Sequence, residues 1–432
     1  MGFVDGPLTG SRLSVPGTGA ATWHAARMLS WLGAEVACRA SDVGALADWA
    51  ISGVMALTGR RDGPALVPPG QAASAVRGAL LALELLSGGS LPGAEVLSER
   101  ASIAGLRRDA PRSVGGSFRV LRCADGWLGL SLARAADVEL LPAWLETPVA
   151  DPWPALEHLL RAREVEPLVA RGRLLGLPVA HWSNGDEIRP FVLDGKAGEP
   201  RTVASAVVVD LSSLWAGPLC GHLLTSLGAR VIKVESLHRP DGARSGPREF
   251  YDLLHQRQES VALDFTTTEG RHALAGLVEA ADIVIEGSRP RALRQLGIDA
   301  EQVVAGADAK CWVSITAYGR TGAGANAVGF GDDVALAGGL LAFDPTTGTP
   351  APCGDAIADP VTGVNAALVA VACRLAGGRW LADLAMRDQI AATIVGEPER
   401  GTVTARLPTP RHAAGRAAEL GADTSRVLRE LL

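Results

Sequence analysis

The sequence predicts an α/β protein whose large domain is a doubly wound, parallel, Rossmann-like sheet, accompanied by a small α+β domain. Three observations predict this. Residues 207–235 have the pattern strand, tight turn, helix, strand. From residue 204 to residue 316, β-branched runs alternate with helical periodicity at the spacing of βαβ units. Between residues 116 and 180, in contrast, a hairpin precedes helical segments.

The composition is that of an ordinary globular protein and excludes several classes of function. The chain has 432 residues, enough for two or three domains, of which 47% are hydrophobic and 20% charged. A net charge of -6 and an aromatic content of 4% disfavour nucleic-acid binding, which needs a basic surface and stacking platforms. The first ten residues have no basic n-region and no apolar h-region, so we expect no signal peptide. No run approaches the roughly 18 apolar residues of a membrane span. We therefore expect a cytoplasmic protein without membrane contact.

The six cysteines are scattered along the chain without a CxxC pair. Only Cys220 has a close histidine, His222, and no second ligand pair accompanies them. We therefore predict no metal site, and we interpret the cysteines as small buried residues of a reducing compartment.

Residues 1–115 are predicted to be a shortened, degenerate copy of the large domain. The segment 29–36 matches 224–231 at a shift of 195 positions, and 71–83 matches 359–371 without gaps at a shift of 288. The difference between the shifts, 288 − 195 = 93, indicates that the first copy lacks about ninety residues of the second. The alternative is two unrelated α/β pieces, both rich in Ala and Leu. Residues 87–115, rich in Gly, Ser and Arg, are predicted to be loop.

Residues 116–185 form the predicted small domain. Segments 118–123 and 127–132 flank Ala124-Asp125-Gly126, whose Asp-Gly pair is typical of a hairpin turn, and two helical segments follow. Residues 186–203, with several Pro and Gly, are predicted to be a linker.

Residues 204–432 form the predicted large domain, organised around the stretch 207–235. A strand at 207–211 is broken by Ala216-Gly217-Pro218, a helix follows to Gly228, and a second strand spans 231–234. Such units place a helix N-terminus at the carboxyl edge of the sheet, where anionic ligands bind. The remaining predicted elements are strands at 260–264, 282–286 and 310–316, helices at 269–280, 291–296, 334–341 and 360–375, and a terminal helix at 423–432 with Asp423 as its candidate N-cap.

Asp359 is the candidate catalytic carboxylate. It precedes Pro360, which suits the first helical position, so Asp359 would be the N-cap of the helix. Capping alone is one interpretation. The other is a covalent nucleophile, which the helix N-terminus keeps ionised while its N–H groups stabilise an oxyanion. The paired residue of the first copy is Gln71, which cannot attack as a carboxylate. The rival carboxylates, each interpreted as a turn residue, are Asp332, Asp333 and Asp355.

Arginines follow the strand that ends at Glu286, in the positions Arg289, Arg291 and Arg294. Guanidinium groups at the carboxyl end of a parallel strand suit a phosphate-rich ligand, although a solvated face is an equal alternative. Glu235 stands where a dinucleotide fold has its ribose-binding acid, but the turn before it lacks G-x-G-x-x-G, which disfavours nucleotide-dependent redox chemistry.

With these residues in place, the chain resembles a family III CoA-transferase, the group of formyl-CoA, carnitine and bile-acid CoA-transferases and α-methylacyl-CoA racemases. The resemblance covers residues 204–375 best. The similar motifs are 208–235 with Ala216-Gly217-Pro218, 260–264, 268–271, 281–286 with Arg289-Pro290, Leu296-Gly297, 318–322, and Asp359 with Thr362-Gly363.

The resemblance implies that Asp359 attacks an acyl-CoA, forms an acyl anhydride and then an aspartyl-CoA thioester, and passes CoA to a carboxylic acid acceptor. CoA is then a substrate, with no permanently bound cofactor. The implied CoA contacts are Leu214, Trp215, Ala216, Gly217, Lys233, Leu263, Arg289, Arg291, Arg294 and Leu296. The resemblance also implies a homodimer of the interlocked kind.

Some positions depart from the family pattern. Gly287-Ser288 replaces the usual Asn-Phe. The basic turn before residue 260 has lost a lysine and an arginine, and the candidate substitutes are Arg239, Arg257, Arg291 and Arg294. These losses favour the alternative of a CoA-binding scaffold without activity. The racemase histidine is also missing, since the matching positions are Gly329-Phe330-Gly331, and this disfavours a racemase or isomerase.

Overall fold

A computed structural model describes residues 6–41, 43–183, 188–396, 401 and 403–432. The first segment begins with a β–α–β unit whose two short strands are parallel, and three helices follow. Its elements are β1 (Arg12–Ser14), α1 (Ala20–Trp31), β2 (Glu35–Ala37), α2 (Ala45–Ile51), α3 (Ala72–Ser87) and α4 (Glu99–Ile103). Helix α4 lies inside the stretch that was predicted to be loop, because its five residues are too few to show a helical period.

The small domain is an antiparallel three-stranded sheet, in the order β3-β4-β5, covered by helices. The predicted hairpin is present, with Arg122 paired to Trp127 across the Asp-Gly turn. The elements are β3 (Phe118–Arg122), β4 (Trp127–Ser131), α5 (Ala135–Glu139), α6 (Leu141–Leu145), α7 (Pro152–Leu159), α8 (Val165–Leu175) and β5 (Val179–His181).

The rest of the chain builds a seven-stranded sheet in the order β6-β14-β11-β10-β7-β8-β9, parallel except for the edge strand β6. This confirms the predicted α/β class. The elements are β6 (Val192–Lys196), β7 (Val207–Asp210), α9 (Ala216–Ser226), β8 (Arg230–Ser236), α10 (Arg248–His255), β9 (Glu259–Leu263), α11 (Thr268–Ala280), β10 (Ile283–Glu286), α12 (Pro290–Gln295), α13 (Ala300–Gly306), β11 (Lys310–Thr316), α14 (Gly331–Ala337), β12 (Leu341–Phe343), β13 (Pro350–Pro352), α15 (Ala358–Ala376), β14 (Arg379–Ala385), α16 (Met386–Ala391) and α17 (Thr424–Leu431).

The predicted linker contains a strand of this sheet. Within it, β6 pairs antiparallel with β14 from Val192 to Lys196. A side chain at Gly195 would collide with the backbone of Trp380, so glycine allows the two strands to approach. Gly195, which suggested a linker, therefore allows β6 to pair closely with β14, and β6 is an edge strand of the sheet.

Two pairs of helices pack in the same way and meet at the centre of the chain. Helix α1 packs on α3, α9 packs on α15, and α3 packs on α15. Each pair approaches closely at a glycine: a Cβ at Gly363 would lie 2.5 Å from the Ala216 carbonyl oxygen, and a Cβ at Gly78 would likewise collide with the carbonyl of Ala21. The two glycines are 363 − 78 = 285 positions apart.

This spacing differs by three residues from the shift of 288 found by matching the two sequences. It places Ser74, rather than Gln71, opposite Asp359. Neither residue is a carboxylate, so the first segment offers no second nucleophile at this position under either alignment.

Helix α15 forms the core of the molecule. Among the described residues it is the one helix long and apolar enough to cross a membrane, although most of that stretch is buried inside the protein. Its neighbours α3 and α9 cover it, as expected for the central helix of a globular core.

Candidate active site

Asp359 is the second residue of α15, not its N-cap as predicted. The helix begins one residue earlier, at Ala358, with Ile357 as N-cap. The chain reaches this point through Ala356, which has a φ of 42°, and the Asp359 N–H donates to the Ala356 carbonyl at 2.9 Å. Because the Asp359 side chain does not cap its own helix, it points its carboxylate toward neighbouring elements. The residue is half-buried and retains some exposed surface.

Two neighbouring backbone segments define the space around the carboxylate. The N–H of Ala216, at the first residue of α9, hydrogen-bonds to it. On another side lies Gly331, at the start of α14, where a Cβ would fall closer than 3.0 Å to Asp359 Oδ2. The turn 216–218 and Asp359, 143 positions apart along the chain, therefore meet at one point. The lack of a side chain at Gly331 makes room for the carboxylate.

The charged neighbours of Asp359 are two carboxylates and one guanidinium. Burial raises the Asp359 pKa to about 7; Arg100 opposes this rise, and Asp332 adds to it. Burial likewise raises the pKa of Asp332 to about 6, helped by the charge of Asp355. A carboxylate must be ionised to act as a nucleophile. Because the pKa of Asp359 is close to neutral pH, a small change in its surroundings changes the fraction of Asp359 that is ionised.

The rival carboxylates are bound to structural partners. Asp355 is 0% exposed and forms an ion pair with Arg100, with 2.9 Å between Asp355 Oδ2 and Arg100 Nε. Asp333 is fully buried and accepts from the Ser131 hydroxyl at 2.8 Å and from the N–H of Phe330. Asp332 accepts from the N–H of Ala356. Of the four carboxylates considered, Asp359 and Asp332 are the two that are partly exposed, and each accepts from a backbone N–H, that of Ala216 and that of Ala356 respectively.

The predicted CoA-binding loop lies beside Asp359. Leu214 is 42% exposed with a φ of 70°, and its N–H donates to Asp241 Oδ1 at 3.0 Å. Trp215 is buried and stacks edge-on against Phe250, with 5.3 Å between ring centroids. Gly217 packs tightly on Ser212. The loop is therefore held from beneath and presents Leu214 to solvent.

Lys233 is not available to a ligand. Its ammonium group is almost fully buried, 3.1 Å from Asp241 Oδ2 and 3.7 Å from Asp210 Oδ2, and it donates to the carbonyl of Ser212. Burial by itself lowers the Lys233 pKa, but the two aspartates outweigh it and raise the pKa. Lys233 thus fixes the loop from below. Its charge is balanced by Asp210 and Asp241. The local sequence around Lys233 does not show these contacts.

Three further residues singled out in the sequence also have internal roles. Leu263 is buried in a hydrophobic core that also includes residues of β7, β8, β9 and β10. The Glu235 carboxylate pairs with Arg244 at 2.6 Å and accepts from the Asp241 N–H, so it is not free to bind a ribose. Leu296 packs, partly buried, against the same core as Leu263.

The predicted arginines separate into two groups. Arg294 pairs with Asp299 at 2.9 Å and with Glu301 at 3.2 Å, on the surface. For Arg289, burial lowers the pKa, and the charges of Arg291, Arg134 and Arg239 lower it further. Arg134 comes from the small domain, where its guanidinium already pairs with Asp137, and the others come from the large one. A cluster of guanidinium groups across two domains is a strong attractor for an anion. Arg257 is exposed after α10, outside this cluster.

Two cavities in the described part of the chain lie away from Asp359. One, of about 490 Å³, is lined by Arg61, Arg107 and Arg112 among others. The other, of about 260 Å³, is lined mainly by apolar side chains around Trp49 and by Gln71. Within the described ranges, no group of three or more His, Cys, Asp or Glu side chains is arranged to hold a metal ion.

Sequence reasoning missed Arg100 and underrated Asp332 and Asp355. Arg100 belongs to the short helix α4, in a segment that composition alone marks as loop, and its partner Asp355 is 255 positions away. A lone arginine in an arginine-rich segment carries no local signal. The two aspartates have turn-like surroundings in the sequence, and only the approach of α14 to the start of α15 brings them to Asp359.

Comparison with known proteins gives similarity over the second half of the chain. Residues 204–413 match the sequence model described as CoA-transferase family III. The chain is 32% identical over 158 residues to the succinyl-CoA–D-citramalate CoA-transferase of Chloroflexus aurantiacus, covering 35% of this chain and 39% of that one. It is 29% identical over 221 residues to the succinate–glutarate CoA-transferase of Agrobacterium fabrum, covering 46% and 55%.

Among solved structures, a CAIB/BAIF family protein from Brucella suis matches at 29% identity and a TM-score of 0.41, covering 45% of this chain and 55% of that one. The chain thus spans only about two fifths to just over half of the length of these relatives.

Proposed function

We propose that this chain, whose residues 204–413 belong to CoA-transferase family III, transfers coenzyme A from an acyl-CoA to a carboxylic acid, with Asp359 as its nucleophile. The observation that carries the proposal is the position of the Asp359 carboxylate. It is half-buried at the start of α15, it accepts from the N–H that begins α9, and it has space beside Gly331. The named transferase relatives support the same reaction class.

The proposed reaction proceeds in steps that conserve atoms and charge. The Asp359 carboxylate attacks the thioester carbonyl, the C–S bond breaks, and CoA leaves as a thiolate, which gives a mixed anhydride on Asp359. The thiolate then attacks the aspartyl carbonyl of the anhydride, releasing the first acid and leaving an aspartyl-CoA thioester. The acceptor carboxylate attacks this thioester, and the same steps in reverse release the new acyl-CoA and restore Asp359.

The backbone around Asp359 supplies what these steps need. An oxyanion forms on the attacked carbonyl each time, and N–H groups at the start of a helix stabilise such a charge without reorganising. Ala216 holds the carboxylate in place before the first attack. The missing side chain of Gly331 leaves the room that the carboxylate itself occupies.

The cluster of Arg289, Arg291, Arg239 and Arg134 is the proposed binding site for the phosphates of CoA. Burial and then the neighbouring guanidinium charges lower the pKa of Arg289, and a bound polyphosphate would offset the repulsion between those charges. Leu214, exposed on the loop that leads to Ala216, would lie along the thiol arm. Lys233 and Leu263 act from beneath the loop and sheet rather than on the ligand.

The first segment is proposed to be a shortened copy of the large domain. The parallel unit β1–α1–β2 and the glycine-mediated contact of α1 with α3 reproduce, in smaller form, β7–α9–β8 and the contact of α9 with α15. A homodimer and a cytoplasmic location are further proposals; light scattering of the purified chain tests the first, and fractionation of the source cells the second.

The test is a search for a covalent adduct. The chain is incubated with a panel of acyl-CoAs, quenched and digested, and the peptide that carries Asp359 is analysed by mass spectrometry. We expect an acyl or CoA adduct on Asp359, absent in Asp359→Asn and present in the control Asp194→Asn, which alters an exposed carboxylate on β6. Normal turnover by Asp359→Asn would refute the assignment.

A second candidate function is a CoA-binding scaffold without turnover. The burial of Lys233 favours it, because this lysine adds nothing to a basic turn that has already lost two cations. Calorimetry that detects CoA binding, combined with no exchange of label between acyl-CoAs and acids, would select the scaffold. The racemase alternative predicts solvent deuterium at the α-carbon of a 2-methylacyl-CoA.

A further inference from the structure

Arg100 joins the first segment to the start of α15. Its guanidinium forms a two-pronged ion pair with Asp355, through Nε at 2.9 Å and through Nη2. The guanidinium carbon also lies 5.0 Å from the centre of the Trp215 ring, on the loop that leads to Ala216. Arg100 is therefore held between the two backbone segments that flank Asp359. Its side chain is 32% exposed, whereas Asp355 is sealed from solvent.

The short helix α4 that carries Arg100 is fixed on both sides. Glu99 pairs with Arg411 through two hydrogen bonds of 2.7 and 2.8 Å, and the Ser98 hydroxyl donates to the Ser52 carbonyl at 2.7 Å. These contacts reach the far end of the chain and the first segment respectively. These contacts fix the helix that carries Arg100, and so they also fix the position of Arg100.

We propose that Arg100 is a positioning residue that holds Asp359 in its ionised, attacking form, so that the first segment is a working part of the active site. This inference rests on the proposed role of Asp359 as the nucleophile. It assigns a function to a segment outside the matched residues 204–413.

The charges that face Asp359 from each packed element support this assignment. Helix α4 contributes Arg100, α14 contributes Asp332, the turn before α15 contributes Asp355, and α9 contributes the N–H of Ala216. Arg100 is the cation of this set, and it faces all three carboxylates. Without it, Asp359 would be half-buried between two other acids, and its neutral form, which cannot attack, would dominate at neutral pH.

The proposal is tested by the ionisation of Asp359 itself, without any need for turnover. The protein is treated at a series of pH values with a diazo compound, which esterifies protonated carboxyl groups, and the Asp359 site is followed by tandem mass spectrometry of its peptide. Exposed Asp194 in the same digest corrects for the reagent. In Arg100→Met we expect the labelling midpoint of Asp359 to rise by about one to three pH units, the range for loss of a nearby opposite charge. Arg100→Lys should restore most of the difference.

Two further variants separate a charge effect from damage to the fold. Asp332→Asn removes a like charge and should move the midpoint downward, opposite to Arg100→Met. Arg60→Met breaks a comparable ion pair between the first segment and the large domain, Arg60 Nε to Asp344 Oδ2 at 2.9 Å, and should leave the midpoint unchanged. A midpoint in folded Arg100→Met equal to that of the wild type would overturn the proposal, and so would an equal shift in Arg60→Met.

The outcome is separable from that of the proposed function. If the midpoint moves as expected but no acyl-CoA labels the wild type, the charge relation is correct and Asp359 is not a transferase nucleophile. If acyl-CoA labels Asp359 and the midpoint does not move, the transferase is correct and Arg100 has no part in ionising it. Where labelling occurs, the acid limb of its pH–rate profile should move with the midpoint.

Discussion

Substitution of Gly363 by alanine tests whether the approach of α9 to α15 sets the geometry of Asp359. A Cβ at this position would lie 2.5 Å from the Ala216 carbonyl oxygen and 3.0 Å from Leu219 Cβ. Real Cβ atoms essentially never approach closer than 3.0 Å, so the first residue of α9 must retreat by at least 3.0 − 2.5 = 0.5 Å. Both opposing groups belong to a buried helix, and neither is the flexible end of a side chain. The expected cost in unfolding free energy is about 1–3 kcal/mol, as for other overpacked cores.

The retreat also moves the Ala216 N–H away from the carboxylate. A hydrogen bond to a charged group contributes about 1.5–3 kcal/mol, and its loss corresponds to a rate of adduct formation about 10- to 150-fold lower. The assay is single-turnover labelling of Asp359 with an acyl-CoA that labels the wild type, together with urea unfolding.

Gly78→Ala is the matched control. It creates the same kind of collision, between α3 and the Ala21 carbonyl of α1, in the first segment. We expect a similar loss of stability in both variants, and a loss of labelling rate in Gly363→Ala that Gly78→Ala does not share. Wild-type labelling by Gly363→Ala, or equal loss in both variants, would refute the reasoning.

Two more predictions follow from the buried charges. The raised pKa of Asp359 places its ionisation at about pH 7, so the rate of adduct formation should increase with pH through about 7 and then level off; a rate that is flat from pH 5 to 8 contradicts this. Lys233→Met leaves Asp210 and Asp241 buried without their cation and should cost about 3–5 kcal/mol in urea unfolding. Lys310→Met, whose lysine donates to backbone carbonyls, should cost less, and an equal loss would show that removing any buried lysine has the same effect.

Much of the fold followed from local patterns. The strand predicted at 310–316 has the same bounds as β11, and β7, β8, β9 and β10 were predicted to within two residues. These strands are β-branched runs bounded by helices with a clear period. Strand β14 was missed, although it lies inside the sheet and Gly377-Gly378 separates it from the end of α15. Strand β6 was missed because its glycine indicates a linker.

Some features of the candidate site could likewise be predicted from the sequence, and others could not. The sequence by itself determined that Asp359 stands at the start of a long apolar helix and that the turn 216–218 begins another, because helix periodicity and helix-start signals are local properties of the chain. The tertiary structure alone decided that Arg100 faces Asp359, that Asp332 and Asp355 share its surroundings, and that Lys233 lies sealed beneath the loop. The physical reason is that a charge acts through space, and the distance between two side chains far apart in sequence is set only when the helices that carry them pack together.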